Sequence, residues 1–546
     1  MSGTVGRVLS TGLALGMVAV AATAGAAVFV PAGQVGPQGS SQVRSLALPV
    51  DLEADPSTLV CPPAPASADS VSTDPDFERT PVDVVTSGTA VAAGSPDGAA
   101  PSLRGRSLPP AGQGEGSDES DLAAKSSEHV SLLRGDGARA WVVQLPAGVV
   151  SPLAALAITR TDAGDLAGLA ASSCTAPAAS SWLVGGAVEP GRSGRIVLSN
   201  AGQTTVTADL TVLTSTGASS PPGGQSLVVA AGSTREVLLE SLVGQQPAVA
   251  VGIEASGGKL GAALVETDID GVDPQGVEHV QATAAATRSV LPGVLPGAAA
   301  TLRLANPSGQ PVVVGWHILD PGGLLDPGGL PDPGGLPDQG TATDTGAGTG
   351  SVTTVPAGTV LDLPLEALAT GPDDRVPVPV AVVVTSEVPV LASVQLTVPR
   401  DGASERAWVP PAAAVPGEAL VVPGPAGVRS YLSMVAPDEG TQVILRPMDG
   451  DGAPVGQQST HDVGAGSVVT ALLPDGAVFV HVAVTSGTLH AAQVLTAEPA
   501  DQQQSSLVSV VPVQVPPTSQ PELLVGTLAE ASLRRELAVE AGPQSP

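Results

Sequence analysis

Aromatic side chains are almost missing from this sequence. They make up 1% of it, as Trp 4, Tyr 1 and Phe 3. A core built around large rings is therefore excluded, and so is a sugar cleft lined by many of them. Any core must come from Ala, Val, Leu and Gly, whose apolar area suffices for burial. Lysine occurs only at Lys125 and Lys259. Helical periodicity is confined to 527–540 (TLAEASLRRELAVE), which predicts a short terminal helix. No Gly-x-Ser-x-Gly elbow, phosphate loop, dinucleotide fingerprint or Cys-x-x-Cys pair occurs. No cofactor is expected, and nothing in the chain reads as an enzyme. Positive charge is also scarce: 22 basic residues face 52 acidic ones, for a net charge of −30. Phosphate backbones would be repelled, which excludes nucleic acid as a partner.

What is present is glycine and proline, Gly 66 and Pro 53, among 42% hydrophobic residues. This composition predicts short strands, many turns and a few disordered stretches. Near the N-terminus, Arg7 precedes a run from Val8 to Val30 without a charge. As a helix it would span about 34 Å, enough for a bilayer core. The single flanking charge puts Met1 inside and the bulk of the chain outside. The run reads as an uncleaved signal-anchor through residues 8–30. Ala22-Thr23-Ala24 and Ala24-Gly25-Ala26 leave open secretion after cleavage. In an exported chain, the even pair Cys61 and Cys174 is expected to form a disulfide.

Internal repetition organises the remainder. Residues 194–200 (GRIVLSN) match 300–306 (ATLRLAN), each closing on an Asn turn signal. The next runs, 206–213 (VTADLTVL) and 312–319 (VVVGWHIL), read as second strands of hairpins. Downstream, 230–242 matches 356–368, and 248–267 matches 379–397, the last pair reading as two strands joined by a short turn. A third copy is traced by 428–435, 464–473 and 480–496. The similarity of 150–162 to 257–269 suggests a fourth, N-terminal copy. A period of this length suits a β-sandwich of about seven strands.

The expected fold is thus all-β: tandem β-sandwich-like units after an N-terminal transmembrane helix. The divisions are a cytoplasmic stub and anchor (1–30), an N-terminal strand region (31–61), and a disordered acidic insertion rich in Pro, Gly and Ser (62–128). The remainder of the N-terminal unit follows (129–190), then unit 1 (191–290), unit 2 (291–410), unit 3 (411–515) and a C-terminal tail (516–546). Unit 2 carries a tandem DPGGL loop at 319–338, read as an elongated turn.

Candidate chemistry is thin. Six histidines occur; His481 and His490 fall in facing strands of one expected hairpin, without further ligands for zinc. The acidic loop 268–278 (DIDGVDPQGVE) offers Asp268, Asp270 and Asp273 as a weak calcium set, although Gly271 and Glu278 miss the positions a calcium loop requires. Trp141, Trp182, Trp316 and Trp408 read as plugs between units.

Cys174-x-x-Pro177, then Trp182-Leu-Val-Gly-Gly186, LSNAGQ, LANPSG and the LLESL and LPLEAL closes resemble an actinobacterial family known as domain of unknown function fifty-seven nineteen. The resemblance covers about 170 to 500. It implies large secreted or anchored proteins and supplies no catalytic residues. The expected role is a non-catalytic cell-envelope protein with a structural or interaction function and an envelope protein or polysaccharide as partner. A carbohydrate-binding array and an envelope hydrolase with an unfamiliar site are the alternatives.

Overall fold

Strands dominate because small and β-branched residues alternate along short runs punctuated by Gly and Pro. The computed structural model describes residues 57–65, 85–94, 101–110, 123–127 and 130–515, the last without 325–350, 369–377, 498–506 and scattered single positions. Among the described residues the fold is all-β, in several curled sheets, with short 3-10 turns at Pro222–Gly224 and Leu239–Ser241. Among the described residues no helix is long and apolar enough to cross a membrane. The expected anchor at 8–30, the terminal helix at 527–540 and the DPGGL insertion from 325 onward lie outside the described residues.

One copy shows the plan. Strand Arg192–Ser199 pairs with Thr234–Leu238 on one side and Gly261–Asp270 on the other, and the latter pairs with Asp273–Thr283. These four form an inner layer. An outer layer is built by Val206–Thr214, Val249–Ser256 and Ser180–Val184. Leu183, Ile196, Leu198, Leu210, Val212, Val251 and Leu264, drawn from both layers, share one core. Outer strands show the pattern of a sheet with one wet face: Val206–Thr214 alternates buried with less buried positions. Inner strands do not alternate. Leu153–Thr161 and Leu489–Ala497 are buried along nearly their whole length, and Ala fills the positions where both faces are covered.

The same plan recurs four times. The inner layers end in equivalent hairpins, in which Thr159 faces Ala170, Thr267 faces Val277, Thr397 faces Arg406 and Thr496 faces Val508. The N-terminal copy takes three of its strands, Val85–Ala93, Arg104–Ser107 and Ala123–Ser126, from within 62–128. This corrects the expectation of a disordered insertion there. Val91 and Ala92 in it are fully buried, so a few apolar residues among Ser, Gly and Pro are enough to hold strands against Val130 and Leu132.

A second correction concerns connections. Arg192–Ser199 and Val206–Thr214 do not pair with each other; they lie in different layers, joined by an arch. The same holds for Val249–Ser256 and Gly261–Asp270, and for Phe479–Ser486 and Leu489–Ala497. Counting copies in chain order, with the N-terminal one as the first, the third copy makes its arch from one bent strand, Val380–Arg400, exposed at Glu387 and Val388 and buried on both sides of them. The expected hairpins are therefore arches, and His481 and His490 belong to separate sheets.

The copies close into a ring. The last strand of each copy touches the next: Gly168–Ser173 contacts Asp273–Thr283, then Ala403–Val409, then Leu507–Pro512, which returns to Gly168–Ser173. Apolar clusters seal every joint, with Leu166 and Ala170 meeting Val277 between the first and second copies. Val184, Leu213 and Ala250 meet Ala305, Val360 and Leu391. Val290 and Val383 meet Val435 and Val468. Val91, Leu156 and Leu169 of the first copy share a core with Phe479, Leu495 and Leu507 of the last.

Candidate functional site: a carboxyl-filled ring centre

The four closing strands enclose polar rather than apolar contacts. Glu278 is 2% exposed and Glu405 is not exposed at all. Glu278 accepts from the His279 backbone N–H at 2.7 Å and is bonded to Ser509 Oγ at 2.9 and 3.1 Å. Ser509 Oγ in turn accepts from the Ala171 N–H at 3.1 Å. Glu405 Oε1 accepts from the Leu169 N–H at 2.8 Å, and Oε2 lies 3.3 Å from Arg400 Nη1. Both carboxyls therefore span the ring: Glu278 reaches the strand opposite its own through Ser509, and Glu405 reaches the opposite strand through Leu169. The strands approach closely here. Gly276 has φ +108°, and a Cβ on it would sit 2.8 Å from the Arg406 backbone nitrogen.

Burial pushes the Glu405 carboxyl up to about 8, against the pull of the Leu169 N–H and Arg400. Burial likewise raises Glu278 well above the usual carboxylate range, with the nearby Glu405 charge adding to it. Adjoining the centre is an ionic network. Glu266 is paired with Arg192 and accepts from Trp408 Nε1 at 2.8 Å. Burial opposes its charge, but Arg192 and Trp408 prevail and hold Glu266 below its ordinary value. Arg303, 1% exposed, forks onto Asp362 with both bonds at 2.8 Å and stacks 4.9 Å over the Trp408 ring. It also donates to Gly186 O at 2.6 Å, tying the third copy to the second.

Of the suggested calcium set, Asp268 is buried and paired with Arg406 at 2.5 Å and Arg192 at 3.5 Å. Asp270 and Asp273 face each other at the exposed hairpin tip. The three do not converge, and the described residues contain no group of three or more His, Cys, Asp or Glu able to hold a metal. Cys61 and Cys174 are joined by a disulfide, both fully buried, and reciprocal backbone bonds between Val60 and Thr175 flank it. His481 sits 3.6 Å from Glu418, while His490 Nδ1 bonds Ala412 O at 2.8 Å. His279 is held neutral by burial, at about 4, with Nε2 donating to Pro63 O at 3.0 Å.

The tryptophans are inside. Trp141 and Trp408 are 1% and 2% exposed, and Trp182 and Trp316 pack against cores. Trp408 plugs the core of the preceding copy, and Trp182 packs at the joint with the following one. None forms an exposed stacking platform. Glu405, Ser509, Arg192 and Arg303 escaped notice in the sequence, and Glu278 figures there only as a misplaced member of the calcium loop. Their signal was a charged residue inside an otherwise apolar strand, as in GVEHVQA, SERAWV and TLRLAN.

A comparison with curated proteins finds no match. A family model described as "Family of unknown function (DUF5719)" matches residues 130–331 and 339–474. That is more than half of the 546 residues, and it takes in the second and third copies with Glu266, Glu278, Arg303 and Glu405. The chain belongs to this family of unknown function.

Proposed function

We propose that this protein is a non-catalytic, membrane-anchored component of the cell envelope, whose tandem β-sandwich-like units form a rigid ectodomain with a structural or interaction role. The observation that carries this reading is where the reactive side chains go. Glu278, Glu405, Glu266 and Arg303, the groups with chemistry to offer, are buried and engaged in joining one copy to another. A substrate has no path to a carboxyl that is 0–2% exposed.

Two features support the location. The uncharged run at 8–30 has the length of a bilayer span and a flanking Arg7. The buried Cys61–Cys174 bridge suits an oxidising compartment, since cytosolic thiols are kept reduced. The partner is an envelope protein or polysaccharide, met through the outer layers.

Two measurements test this. In wall-stripped cells, added protease should degrade the region beyond residue 60; a protected, cytosolic product overturns the location. Purified full-length protein incubated with isolated envelope should be retained without releasing soluble fragments. Catalytic release of sugar or peptide overturns the non-catalytic role.

A further inference from the structure

We infer that closure of the ring is proton-linked: Glu278 and Glu405 share the ring centre with a single balancing cation, Arg400, so the centre holds while at least one of the two carries a proton and loosens as both ionise. The geometry carries this. The two carboxyls come from neighbouring copies, and each reaches the strand across the ring as well as the one beside it, where Val508 meets Glu405 and Ala171 meets Glu278. Both are shut off from solvent, so an ion formed there could not be hydrated in place.

The surrounding charges do not compensate for two anions. Strand Gly168–Ser173 offers Glu405 and Ser509 backbone N–H groups, from Leu169 and Ala171. Leu507–Pro512 brings Ser509 to Glu278 and the Val508 N–H to Glu405. From Val380–Arg400 comes one cation, Arg400, against two carboxyls. Gly261–Asp270 brings Glu266 and Asp268, which are taken up by Arg192 and Arg406. Asp273–Thr283 adds His279, which is neutral and turned to Pro63. One Arg can therefore balance one carboxylate, and the second must stay protonated or separate the strands.

The direction of the effect follows from the raised values. A carboxyl that holds its proton more tightly when folded stabilises the ring fully below its unfolded pKa, about 4.3. That contribution is lost as pH rises through the folded value, about 8 for Glu405. Across this window Glu405 lowers the folded-to-unfolded ratio by up to about tenfold per pH unit, and Glu278, raised by burial too, acts in the same direction.

The experiment uses the full chain in four forms: wild type, Glu278→Gln with Glu405→Gln, and each of the two single changes. Glutamine keeps the shape and donor capacity of a neutral carboxyl. Wild-type unfolding midpoints should fall between pH 5 and pH 9, and amide exchange at 168–173 and 507–512, corrected for intrinsic rate, should rise about tenfold or more. The double variant should lose this slope and exceed the wild type at pH 9. A double variant whose slope parallels the wild type overturns the inference. Should the double variant fail to fold, infrared spectra of the wild type decide. A protonated-carboxyl band must persist at pH 7 and vanish near pH 9, weakened by either single change. Its absence at pH 7 overturns the inference.

Discussion

Asn200 and Asn306 show how one side chain shapes an arch. Each is fully buried at the end of an inner strand, where the chain must cross to the outer layer. Asn306 Nδ2 donates to Gln310 O at 2.7 Å and Val355 O at 3.1 Å, while Oδ1 accepts from the Ser308 N–H at 2.9 Å. Asn200 repeats the set with Thr204 O, Val229 O and the Gly202 N–H. The amide thus replaces the ladder bonds that a crossing chain gives up. Asn306→Ala should cost about 1–3 kcal/mol, because it leaves buried backbone groups without partners. Asn306→Asp should cost no less, since it removes the donor and buries a charge. Denaturant unfolding measures both, and a loss well under 1 kcal/mol for Asn306→Ala would mean that the turn is held by its backbone alone. The corresponding place in the last copy is Ala436, so the arch there has another way to satisfy its backbone.

At the scale of elements, strands were legible and their partners were not. Alternation in VTADLTVL and a Gly turn before each edge strand place strands well, because one wet face imposes a period of two. Whether 206–214 folds back beside 192–199 or crosses to another layer depends on tertiary packing, and a short Asn-bearing connection serves either. The inner layer left a readable mark in hindsight: LAALAIT, GAALVE and HAAQVLT are Ala-rich without alternation, as strands covered on both faces must be. Strands within 62–128 were missed because their apolar residues are few and widely spaced. The disulfide was legible because export and an even cysteine count point to it. It fastens strand Thr58–Cys61 to the end of Gly168–Ser173 across a separation of 113 residues. On the chain-entropy account this contributes on the order of 4–5 kcal/mol. Replacing both cysteines with Ser should lower the unfolding midpoint and raise amide exchange first in 58–61 and 141–144, which pair directly. Unchanged exchange there would show that backbone pairing alone holds the strand.

For the whole molecule, closure separates this fold from a string of independent units. In an open array, each copy would answer only for its own core, and damage would spread to one neighbour at most. Here the first and last copies share an apolar cluster, and Ser173 Oγ donates to Pro512 O at 2.7 Å across the same joint. Nothing in the repeats announced this, because apolar positions that seal a joint look the same as those that fill a core. Leu507, fully buried in the last strand, tests it. Leu507→Ala removes side-chain atoms that pack against both copies and should cost about 2–5 kcal/mol. In a closed ring the loss must register on both sides of the joint. Amide exchange should rise in Leu153–Thr161 of the first copy as much as in Leu489–Ala497 of the last, although more than 300 residues separate them in sequence. The reciprocal change, Leu169→Ala, should raise exchange in Leu489–Ala497 in turn. An increase confined to the copy that carries the substitution would mean that the joint opens readily and that the copies behave as separate units. Shared protection across it would make the ring the cooperative unit, with the stability of each copy set by the strands that close on its neighbours.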